Sequence, residues 1–98
     1  MKITSQISPS QRNSWSLELK TQFYLWCAEV QHEHWKEDAD IFERHPQVRS
    51  FPQHAFIFPI LHGKAIIITH VEYQLSRVFV LSVKPLEEWH KVAEETEK

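Results

Sequence analysis

The stretch FIFPILHGKAIIITHVEY, from Phe56 to Tyr73, decides the fold. It reads as two apolar strands folded back on each other around His62-Gly63, and Gly63 is the only glycine in the chain. Phe56, Ile57, Phe58 and Ile60 make the first strand. Pro59 belongs at a bulge or an edge, because proline cannot donate to a ladder. Lys64 to Tyr73 make the second. Its alternation puts Ala65, Ile67, Thr69, Val71 and Tyr73 on one face and Ile66, Ile68 and His70 on the other. A strand apolar on both faces is normally a central one. Arg77 to Lys84, RVFVLSVK, is rich in β-branched and aromatic residues and continues the meander as a third strand.

Towards the N-terminus, MKITSQIS alternates Ile3, Ser5 and Ile7 with polar neighbours, a short strand that Pro9 interrupts. From Ser14 to about Trp35 the period lengthens. Trp15, Leu19, Phe23, Trp26 and Val30 recur at spacings of four and three, the apolar stripe of a helix, with Ser14 or Ser10 as its cap. Asp38 is the expected N-cap of a short helix through Glu43 or Arg44, with Ile41 and Phe42 turned inward. Pro46 stops it, because the residue before a proline avoids the helical conformation. The following QVRSFPQH reads as a polar loop. Beyond the third strand, Pro85 is expected at the first position of a C-terminal helix carrying Leu86, Trp89, Val92 and Ala93. Helices first and hairpin-linked strands later describe an α+β fold.

Ninety-eight residues make one domain, 1–98, with no repeats and no linker. Four Trp, two Tyr and six Phe supply a real core. The single cysteine, Cys27, lies in the apolar helical run and reads as a small hydrophobe. No disulfide framework exists within the chain, which favours a reducing compartment. The N-terminus has no signal-peptide apolar region, and no run approaches the ~18 residues of a membrane span, so the expectation is a soluble cytoplasmic protein. A net charge of −2 and a pI near 6.4 argue against strong non-specific nucleic-acid binding. His32 and His34 face different ways on a helix and do not match the spacing of four that a helical zinc pair prefers, so no metal or cofactor is expected.

Three stretches carry a family likeness: WCAEV from Trp26 with HWKEDADIF from His34, the hairpin FPILHGKAIIITHVEY, and VFVLSVKPLEEWHKV from Val78. Together they resemble the HigB-type toxins of bacterial toxin–antitoxin systems, members of the RelE-like superfamily. The likeness runs from about Trp26 to Val92. That family shows Phe-Asn-Ile, a Gly-Asn-Lys turn and an aromatic closing the strand, and Phe58, Ile60, Lys64 and Tyr73 fall on those positions without a gap. Glu88 and Lys91 fall on its last motif, where Trp89 replaces a Tyr. The family's strand arginines fall on Ile66 and Leu81, its histidine on Leu86 and its aspartate on His90. The resemblance implies an N-terminal strand and two helices packed on an antiparallel sheet of about three to four strands, with a C-terminal helix. It implies metal-independent mRNA cleavage, often on the ribosome, and a cognate antitoxin as partner.

RNA cleavage needs a proton taken from the 2′-hydroxyl, a clamped phosphate and a stabilised leaving oxygen. Within the resemblance, Lys64, His70, Lys84 and His90 are the candidates for those roles, and Arg77 and Trp89 for RNA contact. Each has a plainer reading. Lys64 is also a solvated turn lysine. His70 and Glu72, two apart on one strand face, make either a carboxylate-supported base or an incidental pair at a strand end. Trp89 is either core or a base-stacking platform. The alternative function is a catalytically inactive RelE-fold protein acting by protein–protein binding, as a regulator or a phage- or plasmid-borne interaction module.

Overall fold

The structure, a computed structural model, describes residues 1–86. In chain order the elements are β1 (Lys2–Ser5), α1 (Pro9–Asn13), α2 (Leu17–Gln31), α3 (Asp38–Arg44), β2 (Arg49–Phe51), β3 (Ala55–Ile60), β4 (Ala65–Glu72) and β5 (Arg77–Pro85). They form an α+β fold on a five-stranded sheet of order β1-β5-β4-β3-β2. The β2–β5 part is an antiparallel meander, and β1 joins β5 in parallel. β4 is the middle strand, as its double apolarity requires. The antiparallel part reaches four strands, within the expected three to four, because Arg49–Phe51, inside the stretch read as a polar loop, pairs with β3. All three residues are exposed, so no buried alternation marks them as a strand.

Several boundaries move for identifiable reasons. Pro9 opens α1, whose N-cap Ser8 forms a capping box with Gln11. The long helix therefore starts later, at Leu17. Its cap is Ser16, whose Oγ accepts from the Leu19 amide at 3.1 Å, rather than Ser14 or Ser10. It ends at Gln31, and Trp35 lies beyond it. The Met1 ammonium donates to the Val30 and Gln31 carbonyls at 3.2 and 3.4 Å, a positive charge at a helix end whose last turn has no basic residue. Glu37, not Asp38, is the N-cap of α3, and Ile41 is buried while Phe42 stays largely exposed. Pro59 pairs with Ile66 inside β3, where β2 no longer flanks the strand and a missing amide costs no ladder bond. Pro85 closes β5 opposite Ala65, and helical conformation begins one residue later, at Leu86. The rest of the expected C-terminal helix lies outside the described residues.

The helices cover one face of the sheet. Phe23, Trp26 and Val30 of α2, with Trp35 and Ile41, pack on Phe56, Phe58, Ile67, Val71, Val78 and Val80. Each such burial contributes about 1.5–3 kcal/mol. Phe58 is the hub: the rings of Trp26, Trp35 and His45 lie 5.2, 6.1 and 5.1 Å from it. The turn between β3 and β4 is left-handed at Leu61, His62 and Gly63, with φ of 54°, 54° and 84°; only Gly63 adopts this without a Cβ penalty.

Candidate nucleic-acid interface

The other face of the sheet carries no helix of the described residues. Strand alternation and register arrange its side chains in rows across the sheet. One row holds Lys2, Arg77 and Glu72; the next Thr4, Phe79, His70, Ala55 and Phe51; the next Ser82, Ile68, Ile57 and Arg49; the last Lys84, Ile66 and Pro59. Ile57 and Ile66 are buried yet stand apart from the helix-side core, so this face has its own small apolar centre.

Charge is divided between the two sides. Among the described residues the sheet and its β3–β4 turn carry Lys2, Arg49, Lys64, Arg77 and Lys84 against one acid, Glu72. The remaining described acids fall between Glu18 and Glu43, on the helices and their connections. Among the described residues the sheet face is therefore cationic although the chain as a whole is acidic.

His70 is half-buried, with Nε2 2.6 Å from Glu72 Oε1. Its ring leans on Phe79 at 6.3 Å. A carboxylate at Nε2 holds the proton there and leaves Nδ1 as the acceptor. Arg77 stands opposite Glu72, donates from Nη1 to Thr4 Oγ1 at 3.3 Å and lies 6.0 Å from the Phe79 ring centre. The sheet thus gathers His70, Arg77 and Phe79 at one end. Lys64 and Lys84 gather at the other: Lys64 precedes Ala65 in the turn, and Lys84 faces Ile66. Lys64 is six residues from His70, about 20 Å along the strand, so the candidates form two groups rather than one cluster. His90 and Trp89 lie outside the described residues.

A second constellation has no signature in sequence spacing. The Tyr73 hydroxyl donates to Asp38 Oδ1, and His54 Nδ1 lies 3.4 Å from the same oxygen. The His54 and Tyr73 rings meet edge to face at 5.3 Å. Burial, then the hydrogen bond to Asp38 and the neighbouring acids, push the Tyr73 hydroxyl well above the usual range, so it stays protonated. The three residues come from a turn, a helix start and a strand end, which only the fold brings together. Burial pushes the Cys27 thiol up to about 11, against the opposing charge of Arg12, consistent with a packing role.

Among the described residues no three His, Cys, Asp or Glu side chains gather as metal ligands, and no helix is long and apolar enough to cross a membrane. No curated protein matches the chain closely enough to count as a relative. The model of the HigB toxin family, described as the RelE-like toxic component of a toxin–antitoxin system, matches residues 19–92. That span includes all of α2 but its first two residues, α3 and the whole β2–β5 meander, and a toxin of such a system has an antitoxin as its partner. The chain belongs to the HigB toxin family.

Proposed function

We propose that this toxin cleaves mRNA, on or near the ribosome, by metal-independent acid–base chemistry on the sheet face away from α2 and α3, and that its antitoxin silences it. The observation that carries the reading is the sheet face that, among the described residues, sets five Lys or Arg against Glu72 around a carboxylate-held imidazole. His70 takes the proton from a ribose 2′-hydroxyl, and the oxygen attacks the adjacent phosphorus. The bond from phosphorus to the 5′-oxygen breaks. The products are a 2′,3′-cyclic phosphate and a 5′-hydroxyl. His90 supplies the leaving-group proton, Lys64 and Lys84 hold the RNA phosphates, and Arg77 and Trp89 contact the strand.

One observation favours the second reading, a RelE-fold protein that acts only by binding. The positions of the family's arginines hold Ile66 and Leu81. Inducible expression with and without the antitoxin separates the two. The nuclease reading requires growth arrest with loss of intact mRNA, relieved by the antitoxin. Arrest with intact mRNA leaves the binding reading.

A further inference from the structure

The row through His70 contains one small residue among large ones. Reading across from β5 to β3, Phe79 and His70 are followed by Ala55. The missing bulk opens a groove of about 480 Å3 floored by Ala55, with His70, Phe79 and Leu81 on one side and Pro52 and Gln53 on the other. Leu81 reaches it because of a β-bulge: Ile68 pairs with Ser82 and Thr69 with Val80, so Leu81 has no partner on β4 and is 40% exposed. The β2–β3 turn that forms the far side is held in the left-handed region at Gln53 and His54, φ 65° and 59°. Gln6 and Gln53 bring amides to the rim, each with donors and an acceptor.

We propose that this groove is a slot for a single unpaired nucleobase, the base next to the 2′-hydroxyl that His70 deprotonates. The inference rests on the nuclease reading above and adds where the substrate is gripped. Three features point to a base rather than another flat ligand. The Phe79 ring offers a stacking wall, and stacking accepts any base. The amides can read a Watson–Crick edge. The slot lies between cationic rows, Lys2 and Arg77 on one side and Arg49 on the other, so a polyanion running over the sheet passes its sugar–phosphate chain along its rim. Filling the slot from below should therefore disturb one nucleotide, whereas removing a cation weakens the whole strand.

The test uses the full chain and a short single-stranded RNA whose 2′-hydroxyls are methylated, with 2-aminopurine moved through its positions. Fluorescence of the bound probe should be quenched at one position. Ala55→Leu should abolish that quench and weaken binding about tenfold, within the range for one stacked base. Lys84→Ala should weaken binding and leave the quench at saturation. Phe79→Leu, which keeps the strand and removes the ring, repeats the test if Ala55→Leu fails to fold by circular dichroism. An unchanged quench in a folded Ala55→Leu or Phe79→Leu protein overturns the slot. Cleavage of the unmethylated RNA is read in parallel. A positional quench without cleavage refutes the nuclease reading and keeps the slot, and cleavage without a positional quench does the reverse.

Discussion

His70 and Glu72 face the same side of β4, with Nε2 and Oε1 2.6 Å apart, so that the carboxylate fixes which imidazole nitrogen is free. Both side chains remain partly exposed, and such a pair contributes no more than about 1 kcal/mol to stability. Its importance should then show in activity. His70→Ala is expected to slow single-turnover RNA cleavage by about 10²–10⁴, the usual worth of a general base, with little change in melting temperature. Glu72→Gln keeps the size of the side chain and should give a smaller loss in the same direction. A Glu72→Gln protein as active as the wild type would show that the carboxylate does not position the ring.

The two positions that fall on the family's arginines differ in environment. Leu81 is on the bulge and 40% exposed, whereas Ile66 is 2% exposed. Leu81→Arg should fold normally, add a cation beside His70 and tighten RNA binding. Ile66→Arg buries a charge with no acid among the described sheet residues beside it and should cost several kcal/mol, read as a large fall in the denaturant midpoint. Equal destabilisation by the two substitutions would contradict the assignment of these faces.

His45 packs edge-on against Phe58 and Trp35, and its buried Nε2 has no hydrogen-bond partner. Burial lowers its pKa, partly opposed by Glu29 and Glu33 and reinforced by Arg44. The unfolded chain therefore binds the extra proton more readily. The stability contributed by neutral His45 is fully present above about pH 6.5 and is lost as pH falls below that value. His45→Phe removes this titration. The melting temperature of the variant should gain on the wild type between about pH 8 and pH 5. A constant difference across that range would exclude the effect.

Cys27, with its thiol pushed up to about 11, should resist alkylation in the folded protein. At about pH 8 the rate with iodoacetamide should be more than about a hundredfold below that of the unfolded chain. Comparable rates would mean that the helix face carrying Cys27 opens readily.

Much of the sheet was legible because β4 is apolar on both faces, which marks a middle strand whatever surrounds it. The start of α1 was also written in the chain, as Ser8, Pro9 and Gln11, but the proline dominates a reading that follows strand periodicity. β2 was not legible, since a three-residue exposed edge strand next to Pro52 has the composition of a loop. For the site, His70 and Glu72 are visible as a pair because strand neighbours two apart share a face. The contact of His54 and Tyr73 with Asp38 is not visible, because its members are local to nothing but the folded molecule. Net charge says nothing of where charges sit, and among the described residues only the fold lines up Lys2, Arg49, Arg77 and Lys84 on one sheet face.

Mapping the ends of RNA cut by the purified toxin in the presence of EDTA, alongside His70→Ala, reads the chemistry of the cut itself. The wild type should leave cyclic-phosphate and 5′-hydroxyl ends whether or not the chelator is present, and the variant should not. Intact RNA with the wild type, or ends carrying a 5′-phosphate, would contradict this chemistry.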